Sequence, residues 1–275
     1  MTRFLIVPQW QGSPSARAMS LADGAEAIAG DLPHSAVLAV SVPLEAGEPI
    51  ETDVLRASSL LRVQAAIVET LGKVAPDEHT ILVGGDCSIS VPAIAHHAEH
   101  HARTTGETLA VVWFDAHGDL NTPWSSPSGS FAGMALRTVL GEGAEPLTRG
   151  AVAPEHTMLV GARSLDDAEV DFISASGIGT HAGDDAAELA EAITATGATR
   201  VYLHIDLDVL DPAEITGVGD AVPFGLTRVQ LVEAIRAIRE RLPLAGATIA
   251  GFSPASPLAA VEDLGTILRI VGALA

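Results

Sequence analysis

The sequence predicts an α/β fold, a mostly parallel sheet of about eight strands with helices packed against it. Three observations carry that prediction. Short β-branched or apolar runs alternate with Ala-rich amphipathic stretches along the chain, the pattern of repeated strand–helix–strand units. The strand-like runs are apolar at nearly every position, as expected of strands covered on both faces of a parallel sheet. Acidic residues, a histidine and the single cysteine crowd just past the ends of three of those runs, where parallel α/β folds gather their ligands. These patterns alone admit either an open doubly wound sheet or a barrel.

The expected strands, in order, are Phe4–Val7, Ala36–Val42, Thr80–Val83, Leu109–Phe114, Thr157–Val160, Gly177–Thr180, Arg200–Ile205 and Thr248–Phe252. Each is a short run rich in Val, Ile, Leu, Thr or aromatic residues. Between them, apolar residues at helical spacing predict helices over Asp53–Lys73, Ser88–His101, Asp184–Thr196 and Thr227–Arg241, with a final apolar helix over Val261–Leu274. Within the second helix, His96, His97, His100 and His101 form the run HHAEHH. Its i, i+4 spacing suits a stray transition metal, but no row of carboxylates accompanies it, so it reads as a solvated polar face.

The 275 residues have room for one large α/β domain or two small ones. No linker or repeat is visible, and residues 1–275 are read as a single domain. Apolar residues make up 48% of the chain, enough for a sizeable core, and the formal charge is -20. Nucleic acid and anionic membranes, which need a basic patch, are excluded as partners. One cysteine excludes an intramolecular disulfide framework. The start, MTRFLIVPQW, has no signal core, and no apolar run approaches about 18 residues. A soluble, cytoplasmic protein acting on a small molecule is the expectation.

The chemistry is concentrated in three motifs. In WFDAHGDLNTP, Asp115, His117 and Asp119 recur at every second position after an apolar run. Residues two apart in an extended strand point to one side, so oxygen, nitrogen and oxygen donors converge at a strand end. In VYLHIDLDVLDP, Asp206 and Asp208 share a face, and ILVGGDCSIS delivers Cys87 past another apolar run. Acids at strand ends often only form turns or cap helices, but a histidine within the alternation is rarely needed there. Four carboxylates, an imidazole and a thiol exceed the needs of one cation and point to a two-metal hydrolytic site. Carboxylate-rich sets with an imidazole favour Mn²⁺ over Mg²⁺ or Ca²⁺. Two such ions can share a water and ionise it at neutral pH.

GGDCS, DAHGDLNTPWSSPSG and HIDLDVLDP resemble, in order and spacing over nearly the whole chain, the signature motifs of the arginase/agmatinase (ureohydrolase) family. The resemblance implies a three-layer α/β/α sandwich, a mostly parallel eight-stranded sheet and a pair of Mn²⁺ ions. Carried over by position, Cys87, Asp115, Asp119 and Asp206 would hold one ion. His117, Asp115, Asp206 and Asp208 would hold the other, with Asp115 and Asp206 bridging. Asn121, Ser128 and Ser130 match the residues around a substrate α-carboxylate. Asp166, with Glu169 beside it in VGARSLDDAE, matches the holder of the α-amino group; Asp166 and Asp167 equally suit a helix start. The candidate catalytic residues are Asp119 and His204, the latter as an orienting neighbour of the ligands, a partial replacement for a missing proton shuttle, or simply a core histidine with a local hydrogen bond. Asp86 and Asp211 read as turn-forming or supporting.

Three departures from the family pattern bear on the substrate. Cys87 stands where GGDHS has histidine, Ala132 where the family carries a histidine acid/base, and Gly251, in GFSP, where arginases carry a glutamate that pairs the guanidinium. A cationic guanidinium without that partner is poorly accommodated. An N-hydroxyguanidine, far less basic, fits better. The expectation is therefore a binuclear-manganese hydrolase that converts Nω-hydroxy-L-arginine to hydroxyurea and L-ornithine. Its substitutions are similar to those of the family branch serving D-cycloserine biosynthesis. The alternatives are an amidinohydrolase for another guanidino or formimino compound, or a non-catalytic family member. The chain ends on an apolar helix without the longer tail that supports the family's trimer, which favours a monomer.

Overall fold

The computed structural model describes residues 1–75 and 78–275. In chain order the elements are β1 (Thr2–Ile6), α1 (Ser20–Gly30), β2 (Val37–Ala39), α2 (Ala57–Leu71), β3 (His79–Val83), α3 (Ser90–Thr104), β4 (Leu109–Phe114), α4 (Ala135–Val139), β5 (Thr157–Val160), α5 (Asp167–Ser176), β6 (Gly179–His181), α6 (Ala186–Ala195), β7 (Arg200–Asp206), α7 (Arg228–Arg241), β8 (Leu244–Ala250) and α8 (Pro257–Leu274). The strands form one open sheet in the order β2-β1-β3-β8-β7-β4-β5-β6, which decides between sheet and barrel. Every pairing in it is parallel. Helices α1, α6, α7 and α8 pack on one face, and α2, α3 and α4 on the other. This is the three-layer α/β/α sandwich. No helix among the described residues is long and apolar enough to cross a membrane.

Alternation along the strands aims the site. In β4, Leu109, Val111 and Trp113 join the core under α2 and α3, while Ala110, Val112 and Phe114 join the opposite core. Asp115 continues the Trp113 side, and Asp206 continues the side of Tyr202 and His204. Each fully buried aliphatic or aromatic side chain contributes about 1.5–3 kcal/mol, so the strand ends rest on a rigid apolar floor. The strands that carry the motifs, β3, β7 and β4, lie in the middle of the sheet with only β8 interposed.

Several boundaries differ from the sequence expectation for local reasons. The helix expected from Asp53 begins at Ala57, because Asp53 and Arg56 adopt left-handed φ of 56° and 60°. Only Val37–Ala39 of the expected Ala36–Val42 run pairs, since His34–Ala36 forms a 3-10 turn. β8 starts at Leu244 rather than Thr248 and ends before Phe252. Its first half, LAGA, looks like a loop by composition. Small residues are required there, because a Cβ on Gly246 would lie 2.8 Å from Nε2 of His97. The HHAEHH run is not a solvated face throughout. His97 is buried, with Nε2 at 2.8 Å from Oγ1 of Thr80 and its ring 5.7 Å from that of Tyr202.

Candidate metal centre

The β3 end turns through Gly84 and Gly85, both at left-handed φ (93° and 78°). Asp86 then caps a short 3-10 turn. Its carboxylate accepts from the amides of Ser88 (3.1 Å) and Gly12 (2.9 Å), from the Ser88 hydroxyl and from Nε2 of Gln9. That network fixes Cys87, whose Sγ lies 3.0 Å from Oδ2 of Asp206 and 3.8 Å from Oδ2 of Asp115.

At the β4 end, Oδ1 of Asp115 accepts from the His117 amide (2.7 Å) and Oδ2 from Nε1 of Trp113 (3.2 Å). Nδ1 of His117 lies 3.3 Å from Asp115 and 3.0 Å from Oδ2 of Asp208. Asp119 sits at a left-handed φ of 51°, and its buried Oδ2 has no hydrogen-bond partner among the described residues. At the β7 end, Oδ1 of Asp206 accepts from the Asp208 amide (2.9 Å), and Oδ1 of Asp208 from the Ala116 amide (3.0 Å). Arg163 braces this corner from behind, donating to the carbonyls of Asp208 (2.8 Å) and Val222 (2.8 Å).

The charge balance of the cluster is lopsided. Asp115, Asp119, Asp206, Asp208 and the Cys87 thiol are all buried together. Burial, reinforced by neighbouring carboxylates, pushes Asp206 up to about 7 and Asp208 to about 6, and holds Asp119 and Cys87 well above their ordinary values. Burial alone would lower His117, but its bonds to Asp115 and Asp208 outweigh it and push the imidazole up to about 12. One imidazolium cannot balance so many anions, and unpaired buried charge is strongly disfavoured. Divalent cations in place of those protons would balance it. Among the described residues, two compact donor groups meet that need: Cys87, Asp115 and His204, and Asp115, His117 and Asp208. In each, the donor atoms lie within 4.8 Å of one another, and Asp115 belongs to both. The donor set fits a two-cation site.

A cavity of about 640 Å³ opens above the cluster. Cys87, His117, Asp119, Asp206 and Asp208 line its floor. Asn121, Ser128, Ser130, Ala132, Asp166 and Glu169 line its walls. Asp115 and His204 do not line it; both lie beneath the floor, and His204 has no exposed surface. Nδ2 of Asn121 donates to Oδ2 of Asp166 (2.7 Å), tying the two candidate substrate-binding residues together. Asp166 also caps α5, and Glu169 completes its capping box. Both Glu169 oxygens accept backbone amides, from Leu120 and Asp166 at 3.1 Å each, so this carboxylate braces the wall rather than offering a free acceptor. The Ser130 hydroxyl is likewise committed, donating to the Gly12 carbonyl. Ser128 is exposed, and its Oγ accepts from the Ser130 amide (3.2 Å). Asp211 forms a turn, accepting from the amides of Ala213, Phe224 and Gly225.

Sequence reasoning missed Asp220, whose Oδ2 lies 3.4 Å from Nε2 of His117 at the cavity rim. Nothing in its surroundings, TGVGDAVP, signals a site. It also missed the Gln9–Gly12 loop, and Trp113, whose indole faces Asp115. The aromatic two places before the first acid was the available clue for Trp113.

The profile of the arginase family matches residues 17–261. The chain belongs to the arginase family. The arginase of Bacillus caldovelox is 38% identical over 167 residues, 54% of this chain and 52% of that protein. The match thus spans about half the length of such curated relatives. Among solved structures, the Entamoeba histolytica arginase in complex with L-ornithine superposes with a TM-score of 0.86 at 25% identity, covering 99% of this chain and 97% of that one. The formimidoylglutamase of Bacillus subtilis superposes with a TM-score of 0.74 at 21% identity, over 99% and 86% of the two chains. That likeness shows the fold alone.

Against the family pattern, Gly251 is more than an absent side chain. It sits at a φ of 82°, and a Cβ there would lie 2.7 Å from Cγ of Asp206 and closer still to Oδ1. This backbone leaves no room for a glutamate in the GFSP turn.

Proposed function

We propose that this arginase-family protein is a Mn²⁺-dependent amidinohydrolase that cleaves Nω-hydroxy-L-arginine to hydroxyurea and L-ornithine. In this reading it is a cytoplasmic enzyme supplying D-cycloserine biosynthesis, and residues 1–275 form one catalytic unit. The observation that carries the substrate choice is the Gly251 turn. The position that would pair a cationic guanidinium has no carboxylate and no space for one. Asp220, the acid at the rim, is engaged by His117. A head group neutral near pH 7 avoids burying an unpaired cation.

When bound, a pair of divalent ions polarises the amidine carbon and lowers the pKa of water beside it. Cys87, Asp115, Asp119, Asp206, Asp208 and His117 would hold the pair. The oxygen of water forms a bond to the amidine carbon, the bond from that carbon to the ornithine Nδ breaks, and the nitrogen leaves with a proton. We assign Oδ2 of Asp119, buried and without a protein partner, to hold the proton given up by the attacking water. Ala132 has no group that moves a proton, so the head group's own hydroxyl is assigned to relay one to the departing nitrogen. At the other end of the substrate, Asn121 and Ser128 receive the α-carboxylate and Asp166 the α-amino group. The ornithine held by the Entamoeba arginase carries those same two groups.

The test is a product assay on the manganese-loaded protein with the two arginine compounds side by side. Hydroxyurea should form from Nω-hydroxy-L-arginine with a kcat/KM at least about tenfold above that for urea from L-arginine, the scale of one displaced polar contact. Equal or better turnover of L-arginine would overturn the substrate assignment.

A further inference from the structure

We propose that His204 is itself a metal ligand, its Nε2 binding the cation on the Cys87 side of the site from beneath. The proposal rests on reading the cluster as a metal centre and adds to it a residue that the carried-over ligand set lacks. The imidazole that a GGDHS sequence carries on the β3 turn is supplied instead by β7.

His204 has no exposed surface, and its Nε2 has no hydrogen-bond partner among the described residues, whereas Nδ1 lies 2.7 Å from Oγ of Ser90. A buried ring nitrogen without a partner is rare and calls for an explanation. The orphaned nitrogen faces the cluster. Nε2 is 4.0 Å from Oδ2 of Asp115, and Cys87, Asp115 and His204 form a compact donor group. Donors at about 2.0–2.3 Å from one ion lie no more than about 4.5 Å apart. The 4.0 Å between Nε2 and Asp115 and the 3.8 Å between Sγ and Asp115 satisfy that limit.

The ring is also held in direction. It pairs in register with Trp113 of β4 and stacks on the indole, with centroids 3.6 Å apart and planes 20° apart. The indole Nε1 donates to the same Oδ2 of Asp115 that Nε2 faces. With the ring proton on Nδ1 and donated to Ser90, Nε2 presents its lone pair to the cluster, the usual arrangement for a ligating histidine. A neutral imidazole also adds a donor without adding to the negative charge of Cys87, Asp115 and Asp206. The residue therefore sits too deep to exchange protons with substrate and in reach of the cations.

The experiment uses the full chain loaded with Co²⁺ and ¹⁵N-labelled histidine. Each Co²⁺-bound neutral imidazole leaves one far-shifted N–H proton resonance. The expected result is two such resonances at full loading, one of them exchanging slowly in D₂O because it is the buried Nδ1–H held by Ser90. His204→Gln should lose the slow resonance and weaken uptake of one of the two ions at least tenfold, while Ser90→Ala keeps it but hastens its exchange. Absence of the slowly exchanging far-shifted resonance from the unaltered protein at full loading would overturn the proposal, and that reading holds whether or not the variants fold. Failure to take up Co²⁺ at all would overturn the metal-centre reading with it.

Discussion

At the scale of single residues, the site depends on side chains whose positions leave little freedom. Gly251 is the clearest case. Its left-handed φ and the nearness of Asp206 mean that even one added methyl group must displace a ligand. Gly251→Ala is expected to lower the metal content measured on the purified protein by about one ion per chain, and to destabilise the fold by about 1–3 kcal/mol. Unchanged metal content in that variant would show that Asp206 can move without loss. By the same argument, Gly251→Glu will not restore an arginase-like pocket. The six metal-ligand candidates were legible in the sequence as a thiol, an imidazole and carboxylates just past three apolar runs, but not through strand alternation. β4 ends at Phe114, Asp208 lies in a 3-10 turn and Asp119 has a left-handed φ, so only Asp206 is in a strand and the turns bring the others together. Asp220 was not legible, because it comes from a loop whose approach to His117 depends on tertiary folding. Glu169 and Ser130 were legible as members of the pocket wall, but not in their internal duties: only the packed structure reveals that backbone groups already occupy them.

At the scale of elements, apolar runs located the central strands to within a residue or two. Leu109–Phe114 and Thr157–Val160 match the observed strands end for end. The errors fall where composition and environment conflict. β8 is strand despite LAGA, because bulk is excluded beside His97. α1, also missed, is short and rich in Ala and Gly, with two acids that dilute its apolar stripe. The His97 contact between α3 and β3 has a pH consequence. Burial, with the neighbouring histidines, lowers His97 to about 3, so it is neutral in the fold and takes up a proton on unfolding below about 6.5. A base with a depressed folded pKa stabilises fully above its unfolded value and loses that contribution as pH falls. Between pH 6.5 and 3 this group should remove up to about 1.4 kcal/mol of stability per pH unit. His97→Gln, compared with the parent by denaturant unfolding, is expected to flatten the acid slope in that window. Parallel slopes would show that the ring is not what makes α3 acid-sensitive. Among the described residues, the groups in contact with His97 or lowering it are Thr80, His96, His100, His101 and Tyr202, with Glu78 lining the same cavity.

At the scale of the whole molecule, strand order makes the site, and strand order is what the sequence concealed. The three motifs come from positions 87, 115–119 and 206–208. They meet because β3, β8, β7 and β4 are neighbours in the sheet. Alternation of strand and helix implied a parallel sheet but not which strands adjoin, so two architectures stayed open until the family resemblance was added. The net charge of -20 has a partial account in the same place, since the cluster concentrates acids that only bound cations balance. The most direct test of that claim is anomalous diffraction at the manganese edge from crystals of the manganese-loaded protein. The account predicts two peaks, one against Sγ of Cys87 and one against Nδ1 of His117, with Asp115 between them. A single peak, or a Cys87 sulfur turned away from any ion, would contradict it.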